Sequence, residues 1–197
     1  MTDRPTRRHI LASGALAGVA SGLWPELGFG QTLRPTPECD DHGPATPRQT
    51  EGPFYRPKSP ERADLITPGM AGQPIEITGR ILTRRCQPIA GALLDAWQAD
   101  HNGDYDNAGF TLRGHQTTGP DGLFRLRTVV PGAYPGRTRH IHVKVQGKGA
   151  PLLTTQLYFS GEALNAKDRL FRQDLVIRTA KAEGRLAGRF DFVLDMA

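Results

Sequence analysis

Short stretches in which apolar and polar residues alternate, each closed by a turn signal, leave this chain few folds to choose from. Ile75-Glu76-Ile77-Thr78-Gly79-Arg80-Ile81 has the period of a half-buried strand. Ala92 to Ala99 reads as a second, more buried strand. The turn Gly119-Pro120-Asp121-Gly122 introduces Leu123 to Val129, which alternates again. Ile141 to Val145, Thr155 to Phe159, Leu175 to Ile177 and Phe190 to Leu194 continue the series. Strands of this length and spacing, with one short helix expected around Glu162–Phe171, predict an all-β protein built as a β-sandwich.

Residues 31–73 read differently. Pro35, Pro37, Pro44, Pro47, Pro53, Pro57, Pro60 and Pro68 recur among Thr and charged residues. Proline lacks a backbone donor and holds its predecessor extended, so this segment is expected to be an arm wrapped on the body. Residues 74–197 then form the sandwich. Arm and sandwich together make one domain of about 165 residues, enough for a sizeable core.

The first 30 residues read as an export signal of the twin-arginine type. Arg7 and Arg8 precede an uncharged run of Gly, Ala and other small or apolar residues from Leu11 to Trp24, with a small-residue exit near Gly28-Phe29-Gly30-Gln31. The apolar run is shorter than the roughly 20 residues a membrane-spanning helix needs, which argues against an uncleaved anchor. A periplasmic or secreted mature protein with no membrane segment is the expectation. Without residues 1–30 the chain has 22 basic and 18 acidic residues, a net charge of +4. No run of five or six like charges occurs, which argues against a nucleic-acid partner. A mildly positive surface suits anionic small molecules, although an ordinary solvated surface explains it equally well. Cys39 and Cys86 are the two cysteines. In an oxidising compartment an even count suggests one disulfide, and no second pair exists to complete a thiolate metal site.

The chemistry concentrates in Pro131-Gly132-Ala133-Tyr134-Pro135-Gly136-Arg137-Thr138-Arg139-His140-Ile141-His142. In a strand, residues i and i+2 share a face, so His140 and His142 present two imidazoles side by side. That is half of a first-row metal site. Tyr134 lies just upstream, in a Pro-Gly loop that can fold back over the same face. A phenol with a pKa near 10 becomes a ligand only beside a strongly polarising cation, and hard phenolate oxygen matches Fe(III). Two phenolates, two imidazoles and a hydroxide would bring Fe(III) to net zero charge, which a low-dielectric site tolerates. A second tyrosine is therefore expected from Tyr55, Tyr105 and Tyr158, and Tyr105 follows the strand that ends near Ala99.

Thr50-Glu51-Gly52-Pro53-Phe54-Tyr55, Asp95-Ala96-Trp97-Gln98-Ala99-Asp100 with Gly103-Asp104-Tyr105, Pro131 to Tyr134, His140-Ile141-His142 and Thr155-Gln156-Leu157-Tyr158-Phe159 occur in one order. In that order and register the chain resembles the intradiol ring-cleavage dioxygenases, the protocatechuate 3,4- and catechol 1,2-dioxygenase group, and especially its short exported members. The resemblance implies a non-haem Fe(III) enzyme that inserts O2 between the two hydroxylated carbons of a catechol to give a cis,cis-muconate. It implies Tyr105 and His140 as equatorial ligands and Tyr134 and His142 as axial ones. It implies that the catechol, on binding as a dianion, displaces Tyr134, whose phenolate takes up one of the protons the catechol loses. Arg137 matches the family's active-site arginine, which stabilises carbanionic character in the ring. Gln156 matches its pocket glutamine, and Thr50, Pro53 and Phe54 match the arm that lines the pocket. Tyr158 aligns with a family tyrosine and reads as core.

Five residues separate Tyr134 from His140, fewer than in the better-known protocatechuate enzymes, so their substrate preference does not transfer. The helical dimerisation segment of the catechol 1,2-type enzymes has no room in residues 31–73, which leaves homo-oligomerisation open. The main rival is a non-enzymatic, transthyretin-like β-sandwich binding module, which has no use for two tyrosines joined to His-x-His. Asp100, Asn102, Asp104 and Asp106 alternate like a calcium loop, but Tyr105 and Thr111 stand where its Gly and Glu belong. A copper or zinc enzyme would use His140 and His142 with His101 or His115.

Overall fold

The computed structural model describes residues 43–182 and 185–196. Nine strands make up the body: β1 Pro74–Leu82, β2 Leu93–Trp97, β3 Arg113–Thr117, β4 Leu123–Val129, β5 His140–Gln146, β6 Leu153–Phe159, β7 Val176–Ala182, β8 Arg185–Arg189 and β9 Phe192–Val193. They hydrogen-bond in the order β3-β2-β5-β6-β7-β8-β1-β4, with β9 beside β1. The result is an all-β sandwich of mixed strands. β1 pairs antiparallel with β4 and parallel with β8, while β7 joins β6 in parallel and β8 antiparallel.

Alternation decides which side chains make the core. On β1, Ile75, Ile77 and Ile81 are buried, and on β4 Phe124 and Leu126 are. They meet Leu94, Ile141, Val143, Leu157, Ile177 and Phe192 from the other strands in one hydrophobic cluster. Each such side chain stabilises the fold by about 1.5–3 kcal/mol on leaving water. β6 is buried at every position, and so reads as a continuous run and not as an alternating one.

The described part of the arm, residues 43–73, has no helix and crosses strands from both ends of the order. Thr46 N donates to Val193 O, Gln49 N to Thr154 O and Leu65 N to Arg127 O, each at 2.8 Å. Fully buried Leu65 anchors it in the core. The stretch expected to be helical, Glu162–Phe171, is instead a series of turns. Asn165 N, Lys167 N and Phe171 N each close a three-residue step, onto Glu162 O, Leu164 O and Asp168 O, and the buried Asp168 side chain interrupts any regular helix between them. Leu175 belongs to a 3-10 turn, Gln173–Leu175, so β7 starts one residue later than the alternation suggests and runs on to Ala182. Cys86 is disulfide-bonded, while Cys39 and the twin-arginine segment lie outside the described residues.

Candidate metal centre

β5 sits between β2 and β6, and alternation turns His140 and His142 to the face opposite the core residues Ile141 and Val143, where the arm and loops cover them. The two histidines are 2% and 1% exposed. Their Nε2 atoms lie 3.1 Å apart. Tyr105 Oη is 3.5 Å from His140 Nε2, and Tyr134 Oη is 3.4 Å from the same atom. Two phenols and two imidazoles thus converge on one point, the imidazoles as its floor and the half-buried tyrosines as its wall.

Two glycines bring the tyrosine loops together. A Cβ on Gly132 would lie 2.4 Å from Gly103 N, and one on Gly103 would lie 2.6 Å from Ala133 O. Gly132 N also donates to Asp100 O. The loop carrying Tyr105 is fixed on either side by aspartates. Asp100 Oδ1 accepts from Asn102 N and Asp104 N, and Asp106 accepts from Ala108 N, Gly109 N and Thr111 N. The calcium-like acidic pattern is therefore a set of backbone caps. Gly132→Ala is expected to push the two tyrosine loops apart. Its thermal midpoint should fall by several degrees, consistent with about 1–3 kcal/mol for overpacking, and bound metal should fall with it in a metal assay after dialysis.

The imidazoles are fixed in orientation. His140 Nδ1 lies 2.6 Å from Thr138 O, so with that nitrogen protonated Nε2 presents its lone pair to the centre. Trp97 stacks on His142 at 4.9 Å and 10° and fixes its ring plane. Burial, reinforced by Arg137, pushes His140 down to about 4, and burial pushes His142 well below the usual histidine range, so both are neutral at pH 7. Burial, with Tyr134 adding to it, pushes the Tyr105 phenol well above its usual value. Tyr105 therefore ionises only if a cation is placed against it. Two nitrogens bonded at about 2.1 Å to one ion at a right angle stand about 3 Å apart, which the Nε2 pair matches. Donor chemistry and spacing both fit a hard, highly charged metal ion. Among the described residues no group of three His, Cys, Asp or Glu could hold a metal, so His101 and His115 do not complete a zinc or copper site. His115 instead meets Ser59 Oγ, through Nδ1 at 3.1 Å.

The remaining sequence-predicted residues border this cluster. Phe54 stacks on Tyr105 at 4.2 Å and meets Tyr134 edge-on. Thr50 meets β6 through its carbonyl, which accepts from Gln156 Nε2 at 2.9 Å. Pro53 is exposed between them. Gln156, fully buried, accepts from Arg137 Nη2 and lies 3.1 Å from the Tyr158 hydroxyl. Its amide braces the arm and Arg137. Tyr158 is core, as read, with its hydroxyl also within reach of Gln49 and Leu170. Two further residues carry no motif. Buried Arg113 ties Phe54 O on the arm to Asp106 O beside Tyr105. Asp168 receives Arg137 Nε at 3.0 Å and Thr138 N at 2.9 Å. Both make contacts far apart in sequence, which only chain folding reveals.

A family model described as Dioxygenase matches residues 50–196. Catechol 1,2-dioxygenase 2 of Acinetobacter lwoffii is 32% identical over 172 residues, 73% of this chain and 62% of that protein. Hydroxyquinol 1,2-dioxygenase of Nocardioides simplex is 29% identical over 66% of this chain and 53% of its own length. The chain thus spans between half and two thirds of these relatives. A solved structure, the dioxygenase domain of a dioxygenase carbohydrate-binding protein fusion from Streptomyces sp. SirexAA-E, superposes with a TM-score of 0.76 at 54% identity. That match covers 78% of this chain and 100% of the other. Sandwich, donor cluster and sequence agree: the chain belongs to the intradiol ring-cleavage dioxygenase family.

Proposed function

We propose that this protein is a non-haem Fe(III) intradiol dioxygenase that cleaves a catechol between its hydroxylated carbons with O2, giving a cis,cis-muconate. The convergence of Tyr105, Tyr134, His140 and His142 on one point, in a chain of this family, carries the reading. These four residues would hold the iron, which when bound supplies Lewis-acid activation of the catecholate. Of the four, Tyr134 would be the one able to give way to substrate, since it sits half-buried beside exposed Pro135 and Gly136. Its Oη then takes a proton from the incoming catechol. Phe54 shields the cluster from water and offers an aromatic wall. Arg137 supplies fixed positive charge where the ring becomes electron-rich. The twin-arginine pattern at Arg7 and Arg8 supports export to the periplasm or beyond.

Neutral catechols suit the site better than carboxylated ones. Arg139 is paired with Glu162 at 3.2 Å and Lys144 with Glu51 at 2.5 Å, so neither is spare for a ring carboxylate. Catechol and hydroxyquinol are expected to turn over faster than protocatechuate, as muconate formation would show. The direct test is the visible spectrum of the iron-loaded protein, before and after anaerobic addition of each catechol. A tyrosinate–iron colour that moves to longer wavelength on addition is expected. A colourless protein with iron bound would sink the reading.

A further inference from the structure

Strand pairing gathers six arginines on the outer face of β7-β8-β1-β4, although they are dispersed in the sequence. Arg80 lies on β1, Arg125 and Arg127 on β4, Arg178 on β7, and Arg185 and Arg189 on β8. The register aligns Arg178, Arg189, Thr78 and Arg125 in a single row across four strands. Their sequence neighbours Ile77, Gly79, Phe124 and Leu126 face the core, so alternation turns these arginines outward. Ala187 and Pro74 leave a hollow of 630 Å3, bordered by Arg125 and Arg127 on one side and Arg185 on the other. Among the described residues three carboxylates answer the six guanidinium groups: Glu76 on Arg125, Asp64 on Arg127 and Asp191 on Arg189. Among the described residues the guanidinium groups of Arg80, Arg178 and Arg185 are left without an ion pair.

We propose that this face binds an anionic polysaccharide bearing carboxylates, a uronate chain laid along the hollow. The cations are all arginine. Their planar forks match carboxylates two bonds at a time, which a lysine cannot do. They already take carboxylates here, at 2.6 Å for Arg125–Glu76 and 2.5 Å for Arg127–Asp64. Neighbouring positions of the row stand one strand separation, about 4.8 Å, apart and offer repeated cations to a polymer with a charge on each sugar. Single-stranded nucleic acid fits poorly, since the outward residues of these strands include no aromatic ring on which a base could stack. Duplex DNA admits a helix or two-stranded ribbon into its major groove, and the face of a four-stranded sheet presents neither. A lipid surface would want apolar anchors, and among the described residues of this face Leu123 is the one large exposed hydrophobic. Binding here is independent of ring cleavage, because the donor cluster hangs from β5 and its loops.

Affinity electrophoresis of the full protein through gels containing polygalacturonate, neutral dextran or duplex DNA tests the proposal. Polygalacturonate is expected to retard the protein at low salt, with retardation lost at high salt. The triple variant Arg80→Gln, Arg178→Gln, Arg185→Gln should bind about tenfold more weakly, with cleavage of a soluble catechol unchanged. Should that variant fail to fold, Arg125→Gln and Arg178→Gln singly should each weaken retardation by about threefold. Retardation equal in dextran, stronger in DNA than in polygalacturonate, or undiminished in the variants overturns the proposal.

Discussion

Tyr105→Phe is expected to lower ring opening by at least about a thousandfold, a loss of some 4 kcal/mol of transition-state stabilisation. The change removes one oxygen and leaves the ring, so the stack on Phe54 at 4.2 Å survives and the fold with it. Without one of its two phenolates, a centre with a trivalent ion would carry a net positive charge in a largely buried, arginine-flanked site. Iron is therefore expected to leave the variant on dialysis, and the tyrosinate colour to fade with it. His142→Ala should do the same by another route, because it deletes one of the paired Nε2 donors and leaves a void beneath Trp97. Tyr134→Phe separates the iron reading from a copper or zinc one, since only the iron reading requires that oxygen. Full turnover with normal iron content in Tyr105→Phe would remove this residue from the centre.

Much of this site was legible in the sequence because its chemistry is written in short-range patterns. His140 and His142 are two apart on a strand, and the Pro-Gly signals around Tyr134 mark a loop. Among Tyr55, Tyr105 and Tyr158, the place of Tyr105 after the strand that ends near Ala99 pointed to it, and the family resemblance named it as a ligand. The strands that alternate were legible too. β3, Arg-Gly-His-Gln-Thr, was not, because its leading arginine is buried while its polar end is not, so no period of two survives. β8 escaped for a similar reason, as Gly188 and Ala187 offer little contrast in hydropathy. The expected helix at Glu162–Phe171 failed because Asp168 is drawn inward by Arg137 and Thr138, a tertiary contact that outweighs local preference. The arginine face shows the same limit from the opposite side. A search for runs of like charge misses cations that only strand pairing places together.

The same Asp168 contact carries the largest expected effect on stability. Its side chain is 1% exposed and that of Arg137 is 15% exposed, with 3.0 Å between Oδ2 and Nε. Thr138 N and Leu170 N complete its hydrogen bonds. Removing one partner of such a pair strands the other charge in a low-dielectric setting, which costs about 3–5 kcal/mol. Asp168→Ala should therefore lower the thermal midpoint by roughly 6–20 °C in a domain of this size. Burial works against the carboxylate, but the Leu170 and Thr138 amides and Arg137 outweigh it and hold Asp168 below the usual range. A depressed folded value means that the stabilisation is fully present above about pH 4, the unfolded value, and is lost as pH falls through the folded one. The stability difference between wild type and Asp168→Ala should then shrink in acid and stay constant from pH 5 to 8. Catalysis should report the same contact through Arg137, which Asp168 aims. If so, Asp168→Asn and Arg137→Ala slow ring opening by similar factors, and the double variant is no slower than Arg137→Ala alone. Fully additive losses would mean that Asp168 serves the fold and leaves Arg137 to act unaided.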